Sequence, residues 1–274
     1  MSDIRLIAID LDGTLLHSTG ADKYISEYTL EVLRKAIDRG VHVAVSSGRI
    51  YADVMGYSEK IAPGQPVICS NGAMACTHDP FNVVYCECLT KAKLRSVVET
   101  LEKEKFYYQV YCDDGSVMES RHPSPHGNKK NDVYDYTGDV LSGDEMPKYV
   151  GDGALKVVCF NRDMQKLAKM RTALEKLGDL EISSSWYDNI EVLAKGVNKA
   201  AALRALAEHL NVPMESTMAF GDNENDLSMI EAAAIGVAMG NGADIVKEKA
   251  DYVTVTNEED GVAKAVAKFV LGEE

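Results

Sequence analysis

Basic side chains are in short supply: the chain has 29 Lys and Arg against 43 Asp and Glu, a formal charge of −14 at neutral pH. Such a balance repels a nucleic-acid backbone or an anionic membrane surface at long range, so neither is an expected partner. Long apolar runs are lacking too. No stretch approaches the ~20 apolar residues of a membrane helix. The opening Met1-Ser2-Asp3-Ile4-Arg5 meets charge at once, so no secretory leader is expected and the cytoplasm is the expected location. Cysteine is sparse. Six residues are spread along the chain, and the nearest pair, Cys86-Glu87-Cys88, has no second pair at zinc spacing, so buried structural thiols are expected rather than disulfides or a metal. No G-x-x-x-x-G-K-[ST] occurs, which argues against a P-loop kinase or nucleotidase. There is no internal repeat.

What is present is a folded composition, 46% hydrophobic and 26% charged, over 274 residues, which excludes a disordered or collagen-like chain. At that length a second domain is expected. Arg5 to Ile9, Val41 to Val45 and Thr217 to Phe220 are short apolar runs, each stopping at polar, Gly-containing residues. Between the first two, Leu30, Leu33 and Ile37 recur at helical spacing, with Ser26 placed to cap and Gly40 to stop a helix. Strand, helix and strand in that order predict an α/β class with a parallel sheet. Ligands of such sheets bind beyond the carboxyl ends of the strands, so Asp10, Ser47 and Asp222 are expected to converge. Lys199–His209 is predicted as a helix, Asp226 to Ala234 as another, and Gly236 to Met239 and Tyr252 to Val255 as strands.

The middle alternates differently. Val83 to Leu89, Phe106 to Cys112, Ser116 to Glu119, Leu155 to Phe160, Leu180 to Trp186 and Ile190 to Leu193 read as strands, with helices over Lys91–Lys105 and Asp163–Leu177. Hairpins with two helices predict an inserted antiparallel sheet covered on one face. The expected division is 1–83 with 190–274 for the parallel part and 84–189 for the insert, with Arg121 to Gly138 as an irregular loop. Residues 84–189 hold 15 basic and 18 acidic side chains, so the acidic excess lies mainly outside the insert.

Asp10-Leu11-Asp12-Gly13-Thr14 sets two carboxylates two positions apart where a buried strand gives way to a turn. A surface Asp-Gly turn accounts for Asp12 but not for Asp10. Close like charges raise one another's pKa unless a cation is shared, and Mg²⁺ suits one or two carboxylates with water and phosphate. Gly221-Asp222-Asn223-Glu224-Asn225-Asp226 again follows an apolar run and opens a helix; its spacing is not that of an EF-hand.

Together with Ser47-Gly48-Arg49 and Gly196-Val197-Asn198-Lys199, these segments resemble the four ordered motifs of the haloacid dehalogenase superfamily, nearest to its Cof-type phosphatases, and the resemblance runs essentially from end to end. It implies a Rossmann-like parallel-sheet core with an inserted α+β cap. It also implies a phosphatase in which Asp10 attacks phosphorus to form an aspartyl-phosphate and Asp12 serves as general acid, then general base. The expected Mg²⁺ ligands are the Asp10 carboxylate, the Asp12 backbone carbonyl and Asp222, supported by Asn225 and Asp226. Ser47, Gly48 and Lys199 are expected to hold the phosphoryl oxygens, with Lys199 also keeping Asp10 ionised. Asn71-Gly72-Ala73 resembles a further Cof-type motif of unassigned role.

The expected substrate is a small phosphorylated metabolite of the sugar-phosphate kind, selected by the insert, where Arg121, His122, His126, Lys156 and Asn189 are polar candidates. Trp186 is expected to pack or to stack on a sugar ring. If the insert is a lid, residues 82–84 and 188–195 are the expected hinges. A phosphomutase of the same architecture and a non-catalytic phospho-ligand-binding protein remain as alternatives, and the oligomeric state is left open.

Overall fold

A computed structural model describes residues 3–19, 22–78, 81–126 and 140–273. The chain divides into two units, Met1–Tyr85 with Asn198–Glu274, and Cys86–Val197.

The first unit is built on an eight-stranded sheet in the order Tyr252–Val253, Ile235–Ala238, Thr217–Gly221, Leu6–Ile9, His42–Ser46, Val67–Cys69, Met74–His78, Phe81–Cys86. The first six strands are parallel and Met74–His78 turns antiparallel. Strand Leu6–Ile9 is fully buried, as a continuous apolar run between helical layers should be. Alternate residues serve opposite faces: Leu6 and Ala8 join Leu203, Leu206 and Ala207 of helix Lys199–His209 in one cluster.

Helix Glu27–Asp38 begins as its sequence directs, with the Ser26 hydroxyl accepting the Thr29 amide at 3.0 Å. The predicted Asp226–Ala234 helix is instead a 3₁₀ turn, Glu224–Asp226, followed by a short helix, Leu227–Ala232. Helix Tyr51–Ile61 was not signalled by the sequence motifs; of its moderately apolar residues only Val54, Met55, Ser58 and Ile61 are buried.

The second unit is a six-stranded sheet in the order Val140–Leu141, Val117–Ser120, Tyr107–Cys112, Ala154–Phe160, Asn189–Ala194, Leu180–Ser183. Its pairings are antiparallel apart from that of Val140–Leu141. Helices Lys91–Lys103 and Met164–Glu175 bury Leu94, Val98, Leu167 and Met170 in a cluster with Tyr108, Val110, Val157 and Val192. This is the α+β arrangement expected of the insert.

The expected boundaries at 83/84 and 189/190 shift. Phe81–Cys86 is the edge strand of the parallel unit, and Asn189–Ala194 is hydrogen-bonded between Ala154–Phe160 and Leu180–Ser183, so the chain returns to the first unit at Asn198. The stretches expected as hinges are therefore largely strand residues. Of the loop expected over Arg121 to Gly138, residues 127–138 lie outside the described residues. No helix among the described residues is long and apolar enough to cross a membrane.

Candidate active site

The site forms where three neighbouring strands end. Ile9 is level with Phe220 on one side and Val45 on the other, so Asp10, Gly221 and Ser46 emerge together and Asp222 and Ser47 follow one residue later. After Asp10 the chain makes one wide turn over Leu11–Leu15, closed by Leu15 N–H to Asp10 O at 3.2 Å and Leu16 N–H to Leu11 O at 3.0 Å. Gly13 sits in this turn at φ +87°, and a Cβ there would lie 2.5 Å from Asp222 Oδ2. Glycine is needed for both reasons: the left-handed backbone and the close approach of a carboxylate. Thr14 Oγ1 donates to Asp222 Oδ1 at 3.0 Å, tying the two acidic motifs together.

Carboxyl oxygens of Asp10, Asp222 and Asp226 lie within 4.8 Å of one another. Lys199, fully buried, stands among them: its Nζ donates to Asp10 Oδ1 at 2.6 Å, to Asp226 Oδ1 at 2.5 Å and to the Ser46 carbonyl at 3.1 Å. Asn198 caps the helix that carries it, its Oδ1 accepting the Ala201 amide at 3.0 Å. A lysine at a helix start is disfavoured by the macrodipole, and here two carboxylates offset that cost. Burial alone would lower the Lys199 pKa; Asp10 and Asp226 outweigh it and hold the ammonium well above its usual range. All three of its protons are taken by protein acceptors.

Burial and the charges of Asp226 and Asp222 push the Asp10 carboxyl well above the usual range, with Lys199 opposing. Burial and Asp226 likewise push Asp222 up to about 7. Asp226 itself is committed on both oxygens, Oδ1 to Lys199 and Oδ2 to the Asp222 and Asn223 amides at 3.0 and 3.1 Å.

Asp12 lies in a different environment. Burial would raise its pKa, but the Arg49 guanidinium and the Lys23 ammonium together bring it below the ordinary value. Arg49 lays its fork across the carboxylate, Nε to Oδ2 at 2.9 Å and Nη2 to Oδ1 at 2.8 Å, and Lys23 Nζ also bonds Oδ1. Ser47 Oγ accepts the Arg49 amide at 3.3 Å and, among the described residues, has no acceptor for its own proton; Gly48 follows in the same turn.

Asn71, of unassigned role in the sequence, now has one. It sits at φ 56°, its amide donates to the Ser47 carbonyl at 3.1 Å and its Oδ1 accepts from Asn225 Nδ2 at 3.1 Å. Asn225 is thus tied to the Asn71 turn, which is itself bonded to Ser47. The next residue, Gly72, has φ +90°, and a Cβ there would lie 2.2 Å from the Asn198 carbonyl oxygen. An Asn-Gly pair after a strand is a turn signal; nothing in it foretells this partner. Lys23 carried no signal at all, whereas a planar two-pronged donor beside Ser47 marks Arg49 as a carboxylate or phosphate partner.

The polar candidates of the insert are engaged within their own unit: Arg121 with Glu145 at 2.7 Å, His122 with Glu102 at 2.7 Å, His126 with Asp188 at 3.3 Å and Lys156 with Glu191 at 2.9 Å. Asn189 Oδ1 accepts the Ser185 and Trp186 amides at 3.1 and 3.2 Å. Trp186 is not packed away: it is 61% exposed, beside an equally exposed Tyr187.

The haloacid dehalogenase-like hydrolase family profile matches residues 7–266. The chain is 36% identical over 270 residues, 98% of its own length and 97% of the relative's, to the 5-amino-6-(5-phospho-D-ribitylamino)uracil phosphatase YcsE of Bacillus subtilis strain 168. Among solved structures, a haloacid dehalogenase-like hydrolase from B. subtilis superposes with a TM-score of 0.85 at 30% identity, covering 97% of this chain and 100% of that one. The haloacid dehalogenase subclass IIB sugar phosphatase BT4131 gives 0.82 at 25% identity, covering 97% and 98%. By this match and these relatives, the chain belongs to the haloacid dehalogenase-like hydrolases, among the phosphatases of that superfamily.

Proposed function

We propose that the chain is a Mg²⁺-dependent phosphatase that hydrolyses a small phosphomonoester of the sugar-phosphate class through an aspartyl-phosphate on Asp10. The observation that carries this reading is the buried Lys199 held between Asp10 and Asp226, with Asp222 in the same carboxylate cluster.

The donor set fits a hard divalent cation. Burial and, after it, the mutual repulsion of three carboxylates in so small a space raise Asp10 and Asp222 even beside Lys199, which favours a further cation among them. With Asp226 committed on both oxygens, Asp10, Asp222 and the Asp12 backbone carbonyl are the groups that would hold Mg²⁺, and Asp226 would orient them. When bound, the ion supplies positive charge against the anionic ester.

The residues divide the remaining work. Lys199 opposes protonation of Asp10, favouring the carboxylate that Mg²⁺ would complete, and adds a fixed charge beside the phosphoryl group. The Ser47 hydroxyl, with its proton to give, and the Gly48 turn bind phosphoryl oxygens. Asp10 attacks phosphorus; Asp12 protonates the departing oxygen, then takes a proton from the attacking water. Positioning and charge supply most of the catalysis in phosphoryl transfer.

The substrate class is inferred from relatives, one named for a phosphoribityl compound and one for a sugar phosphate. Purified protein should release inorganic phosphate from p-nitrophenyl phosphate and from members of a sugar-phosphate panel with Mg²⁺, and cease with EDTA. Asp10→Asn should lose turnover by orders of magnitude while remaining folded. A fully active Asp10→Asn variant, or isomer formation without phosphate release, overturns the reading.

A further inference from the structure

We infer that Asn241 is a positioning residue for the divalent ion: it fixes the turn bearing Asp12 against the Asp222 loop and so gives the site a preference for Mg²⁺ over a larger cation. The inference rests on the reading above and adds a residue to it.

Two of the groups that would hold Mg²⁺, the Asp12 carbonyl and Asp222, come from opposite ends of the chain. The Asp12 carbonyl belongs to the peptide that Gly13 completes, and Gly13 takes φ +87°. Glycine admits this turn, but it is also the least restrained residue of a backbone, so the peptides on either side of it can swing. The bonds that close the turn, Leu15 N–H to Asp10 O and Leu16 N–H to Leu11 O, pass over Asp12 and Gly13 without using either carbonyl. Asn241 supplies the restraint: its Nδ2 donates to the Gly13 carbonyl at 2.7 Å.

Asn241 is itself aimed. Its Oδ1 accepts the Asn257 amide at 3.0 Å, which leaves the Nδ2 end to face Gly13. The two ends of the carboxamide are not interchangeable there, because an oxygen cannot donate to Gly13 and an amino group cannot accept from Asn257. The segment that carries Asn241 follows strand Ile235–Ala238 and is bonded to the other acidic motif. Met239 N–H donates to the Gly221 carbonyl at 3.1 Å, and Ala243 N–H donates to the Asp222 carbonyl at 2.8 Å. The stretch from Met239 to Ala243 thus grips the Asp222 loop by its backbone and the Gly13 turn by one side chain.

Mg²⁺ demands near-ideal octahedral geometry with short bonds, whereas Ca²⁺ accepts a larger and more variable set of oxygens at longer distances. Ligands held at a fixed separation serve the smaller ion; ligands free to part weaken it first. Deleting the tie should therefore reduce Mg²⁺ affinity more than Ca²⁺ affinity. A general loss of stability would reduce both alike.

The test is thermal unfolding of the full chain titrated with MgCl₂ or CaCl₂ alone at pH 8, from which the dissociation constant of each ion follows by mass action. In Asn241→Ala the constant for Mg²⁺ should rise about tenfold, the lower end of what partners that orient metal ligands contribute, and the Mg²⁺-to-Ca²⁺ affinity ratio should fall at least about threefold. Asn241 is exposed, so its replacement leaves the core intact, and the metal-free Tm checks that each variant is folded. Asn241→Ser, polar but too short to reach Gly13, should behave as the alanine variant does. Asn257→Ala is the control: it deletes a 2.8 Å bond from Asn257 Nδ2 to the Leu16 carbonyl, farther along the same turn, and keeps the backbone N–H that orients Asn241. Its ratio should match wild type. An unchanged ratio in the folded Asn241 variants, an equal fall in Asn257→Ala, or a wild-type protein without preference for Mg²⁺ overturns the role of Asn241 and leaves the phosphatase reading standing. A folded wild-type protein with no Mg²⁺-induced shift in Tm overturns the metal site of that reading, and this inference with it.

Discussion

Lys199 Nζ lies 2.6 Å from Asp10 Oδ1, although 189 positions separate the two residues in the chain. This contact joins the end of the first strand to the start of a helix in the last third of the sequence. It makes the charge of the site a property of the folded unit rather than of any segment. The pair is buried, and a second carboxylate, Asp226, shares the same ammonium at 2.5 Å.

Removing that ammonium leaves two buried carboxylates without their cation. Lys199→Met should lose turnover by at least ~100-fold, the scale expected for a preorganised charge at a reacting centre. It should also lose about 3 kcal/mol of stability, as when one partner of a buried pair is deleted. Steady-state kinetics and urea unfolding measure the two effects. Normal stability combined with normal kcat would show that the contact is incidental.

Mg²⁺ should stabilise the protein more in alkaline than in acidic solution. With Asp222 pushed up to about 7 from an ordinary 3.8, the metal-free fold binds a proton that the unfolded chain does not across that interval. The metal-free protein therefore loses stability as pH rises from about 4 through 7, and above that range the Asp222 proton no longer competes with the ion. Thermal unfolding with Mg²⁺ or EDTA at pH 5 and pH 8 should show the larger metal-induced Tm shift at pH 8. Equal shifts would contradict the crowded-carboxylate account.

Gly72→Ala should be strongly destabilising. Its left-handed φ and the 2.2 Å approach of the Asn198 carbonyl leave no room for a methyl group against backbone. Strain and overpacking together cost about 2–4 kcal/mol. Because Asn198 caps the helix bearing Lys199, the loss should appear in activity at temperatures where the variant is still folded. Denaturant midpoints and kcat at 25 °C would reveal it; a wild-type midpoint would refute it.

Asn71 serves by conformation and by hydrogen bond, and two substitutions separate these. Asn71→Gly tolerates φ 56° and deletes the side-chain contacts, the bond to Asn225 among them, whereas Asn71→Ala also meets the left-handed penalty of about 1–2 kcal/mol. Both should raise KM for a phosphate ester by loosening the Ser47 loop, with Ala the less stable of the two. Unchanged KM in the glycine variant would assign Asn71 a backbone role alone.

The sequence by itself determined the central strands Leu6–Ile9, His42–Ser46 and Thr217–Gly221 and the acidic motifs beside them, while strands Val67–Cys69 and Met74–His78 went unread. Continuous apolar runs such as Leu6–Ile9 have few ways to be buried other than in a parallel sheet between helices, and the order of the elements predicts which strands are neighbours. Asp10 and Asp222 were legible for that reason, at the ends of strands, whereas Asp226 and Lys199 were reached through the resemblance to the family's ordered motifs. Hydrogen-bond partners across the site were not legible, because they depend on which loops meet after packing. Only the tertiary structure decided that Lys23 and Arg49 share Asp12, that Asn225 faces Asn71, and that all three Lys199 protons are taken. It also decided that Asn189–Ala194 belongs to the insert, since a strand of that composition pairs wherever an open edge receives it, and its pattern does not name the edge.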